Sequence, residues 1–192
     1  CKTEIIKTLD SVLNQNFSDY EYLIIDGASK DGTLDIIMDY SKKFNEIGIN
    51  YRYYSEPDKG IADAFNKGIK KASGEYIGII NAGDLLNAGA LVEIDKIAED
   101  KADIVYGNIM WIDKKNNICY ERKSKETDLG RIAYEMVIMH PSVFVKKTVY
   151  EKLGMFNLEY RYCMDQELMA RFYYAGCNFE YLDFSIASMT SG

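Results

Sequence analysis

Three carboxylate-bearing stretches stand where apolar runs stop. Asp26 closes "YLIID", the cluster Glu56, Asp58 and Lys59 follows "NYRYYS", and "IINAGD" ends in Asp84 behind two small residues. Ala82 and Gly83 leave room for a ligand to approach the backbone, and Asp84 offers hard oxygen ligands. Mg²⁺ or Mn²⁺ suits such a setting, since these ions take one or two protein carboxylates and complete their shell with phosphate oxygens. An aspartate after a strand is also a common helix cap, and the residue alone leaves both roles open. Asp26 is followed by Gly27, Gly32 and Thr33, a strand–turn–helix connection with Thr33 as N-cap, in which the carboxylate could accept hydrogen bonds from a base or ribose.

In "SEPDKGIADAFNKG", Glu56, Asp58 and Lys59 precede a helix that carries Asp63 and Asn66 on neighbouring positions of one face. Donors, acceptors and a lysine beside a helix N-terminus suit a nucleotide's base and phosphates, although charges here also read as a solvated face. Further on, Asp165 and Glu167 open a predicted helix in "MDQELMARF", where the helix dipole favours carboxylates and where Asp165 could act as a general base. The single histidine, His140, lies beside Pro141 before an apolar strand and reads as structural.

These residues need a scaffold, and the hydrophobic periodicity supplies one. Ile5, Ile6, Leu9, Val12 and Leu13 share a helical face, then "YLIID" reads as a buried strand. Leu34, Ile37, Tyr40 and Phe44 mark a second helix before "NYRYY". Ile61, Phe65, Ile69 and Ala72 mark a third before "EYIGII", and Leu91, Ile94 and Ile97 a fourth before "DIVYG". The alternation predicts an α/β domain with a mostly parallel sheet, whose ligands would lie beyond the carboxyl ends of the strands, where Asp26, Glu56–Lys59 and Asn81–Asp84 fall. The second half is less regular, with strands at "NICYER", "SVFVKK" and "NFEYLDF" and helices at "KTVYEKLG" and "MDQELMARFYYAG".

The chain has 192 residues, 47% hydrophobic, 28% charged and 13% aromatic, which fits one folded domain and excludes a disordered chain. A net charge of −7 lacks the basic field that gathers nucleic acid. No stretch reaches the length of a transmembrane helix or has the pattern of a signal peptide. Cys1, Cys119, Cys163 and Cys177 are widely spaced, which reads as ordinary packing in a reducing cytoplasm. The opening at Cys1 directly into a helical pattern, and the close at "MTSG" in what reads as a loop, suggest one domain over 1–192 cut at both ends.

Taken in order, the motifs resemble those of the family 2 glycosyltransferases, inverting enzymes that use nucleotide sugars and have the GT-A fold. "IIDGASKDGT" is similar to the family's D-x-x-S-x-D-x-T element, "SEPDKGIADAFNKGI" to a block of its polysaccharide-synthesis branch, "NAGD" to its D-x-D-type metal site, and "HPSVFV" and "MDQE" to acceptor-side elements. The resemblance implies a GT-A, Rossmann-like mixed sheet flanked by helices. It implies nucleotide contacts at Asp26, Ser29, Glu56, Asp58, Lys59, Asp63, Asn66 and Asn81, a divalent cation, Mn²⁺ or Mg²⁺, on Asp84, and Asp165 as catalytic base. The implied donor is a nucleotide sugar, with UDP the family's preference. The implied acceptor is a saccharide or lipid-linked saccharide in cell-surface polysaccharide synthesis, handled in the cytoplasm or at the inner face of the membrane, with peripheral membrane association of a longer protein compatible with it. Two departures stand out: glycine at 83 where many members carry a second aspartate, and no opening strand before Cys1, which leaves one wall of the base pocket missing. The competing readings are a sugar-phosphate nucleotidyltransferase, whose glycine-rich basic loop is not visible, and a non-catalytic nucleotide-sugar-binding module.

Overall fold

The computed structural model describes residues 2–98, 102–113, 115–124 and 126–191. Cys1 and Gly192, on which two of the expectations above rest, lie outside them. Helices and strands alternate as the periodicity predicts: α1 (Lys2–Leu13), β1 (Glu21–Asp26), α2 (Thr33–Glu46), β2 (Asn50–Ser55), α3 (Ile61–Lys71), β3 (Tyr76–Gly78), β4 (Leu85–Leu86), α4 (Ala90–Ala98) and β5 (Ile104–Asp113). The second half adds β6 (Ile118–Arg122), β7 (Val143–Lys146), α5 (Lys147–Leu153), α6 (Met164–Tyr174) and β8 (Phe179–Ser191), with 3₁₀ turns at Glu126–Arg131 and His140–Ser142.

The class is the expected α/β one, a mixed sheet flanked by helices, but strand directions depart from the mostly parallel balance. β1 and β2 form a parallel pair in register from Glu21↔Asn50 to Asp26↔Ser55. The remaining strands form a second sheet in the order β3-β7-β5-β8-β4, with β6 added to β5. Only β5 and β8 run parallel there, while β7, β4 and β6 pair antiparallel with their neighbours. β7 needs no crossover helix before it, because the irregular segment after β6 returns the chain in the opposite direction.

Two apolar clusters sandwich the strands. On one side Ile5, Leu9 and Val12 of α1 pack with Ile37, Tyr40 and Phe44 of α2, Ile24 of β1 and Ile94 of α4. On the other, Ile69 of α3 packs with Ile104 and Tyr106 of β5, Val145 of β7 and Leu168 and Phe172 of α6. Phe44 stacks on Tyr51 with centroids 4.8 Å apart and ties α2 to β2. Cys177 packs against the second cluster, whereas Cys119 and Cys163 are exposed free thiols and depart from the packing role expected of them. No helix among the described residues is long and apolar enough to cross a membrane.

Candidate active site

Asp26 ends β1 opposite Ser55 at the end of β2. Its Oδ2 accepts the Ser55 hydroxyl at 2.6 Å and the Ser29 N–H at 3.1 Å, across a turn in which Ala28 takes a left-handed φ of 62°. Burial pushes the Asp26 carboxyl up, but hydrogen bonds from Ser29, Ser55 and Ala28 outweigh it and hold the group below the usual aspartate range. Asp58 closes on the same turn: a β-carbon at Gly27 would collide with its Oδ2, so only glycine permits that approach.

The loop carrying Glu56, Asp58 and Lys59 is braced by Lys67, whose ammonium donates to the Pro57 carbonyl at 2.7 Å and pairs with Asp63 at 3.5 Å and Glu56 at 3.6 Å. Asp63 in turn accepts the Lys59 N–H at 3.0 Å. Sequence reasoning passed over Lys67, although its spacing of four from Asp63 was a visible signal. Asn66 sits deeper, buried, with its amide donating to the Phe156 carbonyl at 2.8 Å and accepting the Phe156 N–H at 2.9 Å. Both its polar ends face the protein interior.

Asp84 is 6% exposed. Burial raises its carboxyl above the usual aspartate range, against hydrogen bonds from the Asn81 side chain and the Thr190 and Asn81 backbone. Its partners are amides, and no cationic side chain among the described residues pairs with it. A buried carboxylate without a counter-charge is a favourable ligand for a cation, so the site fits a divalent ion. Being one carboxylate, it would need phosphate oxygens to complete the shell. Among the described residues no group of three or more His, Cys, Asp or Glu converges to hold a metal.

The turn that presents Asp84 is clamped by α1. The Thr8 hydroxyl accepts the Gly83 N–H at 3.0 Å and donates to the Asp84 carbonyl at 2.8 Å. Ser11 accepts the Leu86 N–H at 3.0 Å, and Gln15 donates to the Asn87 carbonyl at 3.0 Å. Thr8 and Ser11 of α1, with Gln15 just beyond its end, form a polar ladder beside the buried apolar stripe of α1, a break in apolar periodicity visible in the sequence. Gly83 has φ of 108°, which an aspartate adopts only under strain, and this accounts for the glycine at that position.

Asp165 lies in the first turn of α6, which starts from Cys163 in a left-handed conformation, φ 54°. Its Oδ1 accepts the Gln166 N–H at 3.0 Å. His140 stacks on Phe65 of α3 at 5.2 Å and meets Phe156 edge-on at 5.9 Å. Burial lowers the His140 pKa, partly offset by the negative charge of Asp165, so the two residues feel one another. Glu167 has a different attachment: both its oxygens bind Arg171, at 2.8 and 3.0 Å, and Arg171 also donates to the carbonyls of Leu153, Gly154 and Met155. The structure therefore joins Asp26, Ser29 and Asp58 in one group, Asn81 and Asp84 in a second, and Asp165 with His140 in a third. Asp58 and Asn81 line one cavity with Phe65 and with Pro141, the neighbour of His140.

An α/β fold that gathers polar loops at its strand ends places them where such folds take their ligands. The chain belongs to glycosyl transferase family 2, whose profile matches residues 1–178. It is 30% identical over 171 residues to a PGL/p-HBAD biosynthesis glycosyltransferase of Mycobacterium bovis, covering 85% of this chain and 62% of the relative. It is 26% identical to an uncharacterised glycosyltransferase of Rickettsia typhi, covering 86% and 53%. The chain thus spans little more than half the length of such relatives. Among solved structures, S. aureus TarS 1-349 in complex with UDP-GlcNAc superposes with a TM-score of 0.83 at 20% identity, over all of this chain and 56% of that one. The mannosyltransferase PcManGT from Pyrobaculum calidifontis, in complex with GDP-Man and Mn²⁺, gives 0.74 at 19%, over 98% and 53%. At such identities the structures speak to the fold, which is GT-A.

Proposed function

We propose that this chain carries the donor site and catalytic base of an inverting glycosyltransferase that moves a sugar from a UDP-sugar to a hydroxyl of a saccharide or lipid-linked saccharide in cell-surface polysaccharide synthesis. The observation that carries the reading is Asp84, a buried carboxylate without a cationic partner, held by Thr8 on the turn after β3 in a family 2 chain. Asp26, with Ser29 and Asp58, binds the nucleoside. Glu56, Lys59, Asp63 and Asn81 flank the diphosphate, and Asn66 braces the pocket through Phe156. Asp84 would hold the divalent cation, Mn²⁺ or Mg²⁺, which supplies charge stabilisation to the departing diphosphate.

Asp165 takes the proton of the acceptor hydroxyl as its oxygen bonds to the anomeric carbon from the face opposite the breaking bond to the diphosphate, so configuration inverts. Burial of the neighbouring His140 imidazole disfavours its charged form, and the Asp165 carboxylate opposes that shift. Tyr134, Tyr160 and Tyr162, all exposed in the segments before α6, offer aromatic faces to a saccharide acceptor. Unpaired thiols at Cys119 and Cys163 fit a reducing compartment, and we place the reaction at the cytoplasmic side of the membrane.

The test is a thermal-shift series with UDP, GDP, UDP-GlcNAc and GDP-mannose, each with and without Mn²⁺, followed by product analysis with the responding donor. A Mn²⁺-dependent rise in melting temperature with the UDP compounds and transfer with inverted configuration are the expected results. Binding without transfer or donor hydrolysis by a protein that contains these residues in their full-length setting would favour the non-catalytic module, and pyrophosphate release from UTP and a sugar phosphate would favour the nucleotidyltransferase.

A further inference from the structure

β4, β8, β5 and β6 lie side by side, and their register sets a row of side chains across three of them: Met189 of β8 pairs with Trp111 of β5, which pairs with Tyr120 of β6. Opposed residues point to one face of a sheet, and so do residues two apart, which adds Ala187, Ile109 and Arg122 to this face. Where Met139 packs on it the face is closed, and Ile109 and Ala187 are fully enclosed. Toward the strand ends it opens: Trp111 and Met189 are half-buried and Tyr120 is 48% exposed. Among the described residues neither ring stacks on another aromatic side chain, the indole N–H and the Tyr120 hydroxyl make no hydrogen bond, and the Arg122 guanidinium makes no ion pair.

Two contacts tie this face to the candidate site. Thr190, beside Met189, donates its N–H to the Asp84 carboxylate, so Trp111 on the next strand stands two strand spacings, about 10 Å, from Asp84. Met139, which packs on Ile109, precedes His140, the residue that feels the charge of Asp165. A bulge sets the orientation. The β5–β8 register shifts on either side of Asn108, and this brings Ala187 and Met189 opposite Ile109 and Trp111. Bulges re-aim side chains in this way beside functional sites. Buried Asn108 accepts the Ser124 N–H at 3.1 Å, and the Ser124 hydroxyl donates to the Gly107 carbonyl at 2.8 Å, so the end of β6 is fixed to β5.

We propose that the Trp111 row is a saccharide-binding floor, with one pyranose ring lying on the indole and its hydroxyls reaching the Tyr120 hydroxyl and the Arg122 guanidinium. The C–H groups on one face of a pyranose carry partial positive charge and meet the negative face of an aromatic ring, while its hydroxyls stand near the ring plane, within reach of polar groups at the rim. Trp111 is then a specificity-determining residue, which selects a ring with an unbroken C–H face. The exposed tyrosines before α6 lie in irregular segments, whereas Trp111 and Tyr120 stand on paired strands, so the floor is ordered before a ligand arrives. At two strand spacings from Asp84 the floor lies beyond a sugar held there by its diphosphate, which gives the ring to the acceptor. That last step rests on the glycosyl-transfer reading above; the stacking on Trp111 does not.

Trp111 is the single tryptophan of the chain, so its emission reports on this floor alone. The chain is titrated with the methyl β-pyranosides of glucose, galactose, mannose and N-acetylglucosamine, and Mn²⁺–UDP binding is measured separately by calorimetry. The expected result is a saturable shift in emission with at least one glycoside, in the presence and absence of saturating Mn²⁺–UDP. Saturation-transfer NMR then compares variants: Trp111→Ala should weaken that glycoside by about tenfold and Trp111→Phe, which keeps a ring, by less than about threefold, both with the parent's circular dichroism and Mn²⁺–UDP Kd. No emission change with any glycoside overturns the floor, whether or not Mn²⁺–UDP binds, and so does equal glycoside affinity in the parent and Trp111→Ala. A glycoside response in a chain that fails to bind Mn²⁺–UDP upholds the floor and removes the donor reading. Displacement of the glycoside by UDP-GlcNAc but not by UDP would give the ring to the donor and overturn its assignment to the acceptor.

Discussion

At the residue scale the two aspartates proposed to hold the cation and to take the acceptor proton are distinguished by what surrounds them. Asp84 is enclosed, faces amides, and has its carboxyl raised by burial, so it gains most from a cation. Asp84→Asn keeps the shape and removes the charge, and calorimetry should find Mn²⁺-dependent UDP affinity lost in a protein whose circular dichroism is unchanged. An unchanged Mn²⁺ dependence would remove Asp84 from the site. Asp165→Asn should instead leave the donor Kd intact and lower turnover by about 10²- to 10⁴-fold, the usual cost of losing a general base. Glu167, two positions on, is clamped to Arg171, so Glu167→Gln should lower stability while turnover per folded molecule persists. Near-native turnover in Asp165→Asn together with loss in Glu167→Gln would transfer the role. The aspartates were legible in the sequence because each ends an apolar run or opens a helix. Asn66 was read as a ligand contact because spacing shows a face of a helix and not what covers it; here Phe156, 90 residues away, covers it.

At the element scale, helices and strands up to β5 follow from periodicity, while the departures trace to long-range pairing. β3 stops at Gly78, where its pairing with β7 ends at Gly78↔Phe144, and β8 runs on to Ser191 because β5 offers it a partner through Asp113↔Ser191. A stretch expected to be loop is strand for that reason. Thr33 is likewise the first residue of α2 and not its cap: Gly32 takes that position with φ of 82°, and Asp31 accepts the Thr33 N–H and hydroxyl. Junctions between elements carry the testable energetics. Asn66→Ala would strand the buried N–H and C=O of Phe156 and should cost about 2–4 kcal/mol in denaturant unfolding; a loss below about 1 kcal/mol would mean that water reaches the gap. Through the Phe65–His140–Phe156 contact, the α3 junction also carries a pH signature. Burial makes the folded His140 pKa lower than its unfolded value of about 6.5, so the unfolded chain binds more protons between the two. Stability from this residue is complete above that unfolded value and falls as pH drops through the window toward the folded one. His140→Phe keeps the ring stack and cannot titrate, so its melting temperature should decline less than the parent's between pH 7.5 and pH 5.5, and parallel curves would show that the imidazole is solvated.

At the scale of the whole molecule, the division into two sheets sets unequal stability across one chain. β5 is the hub, pairing β7, β6 and β8, and Ile104, Val105, Tyr106 and Ile109 along it are fully enclosed. Among the described residues β1 and β2 have only each other as strand partners, and helices connect them to the remainder: α1 packs on α2 and β4, and α3 packs on β1. The β1–β2 layer does have aromatic reinforcement from Tyr22, Phe44 and Tyr51, and a cross-link in which Glu21 binds Arg52 and the Ser73 and Gly74 amides. The aromatic contacts are internal to the layer, whereas Glu21 also ties β1 to Ser73 and Gly74, in the segment that leads from α3 to β3 of the other sheet. Opening the layer therefore exposes one apolar cluster and spares the other, a subglobal event that costs less than complete unfolding. Native-state hydrogen exchange across low urea concentrations should show amides of β1, β2 and α2 sharing one opening free energy and m-value, with β5, β7 and the first half of β8 at the higher, global limit. The mutation that separates the layers is Glu21→Ala, which should lower the first opening energy and leave the β5 limit unchanged when the latter is measured from the same opened state. Merged isotherms for β1 and β5 in the parent chain would mean that α1 and α3 transmit cooperativity between the two sheets.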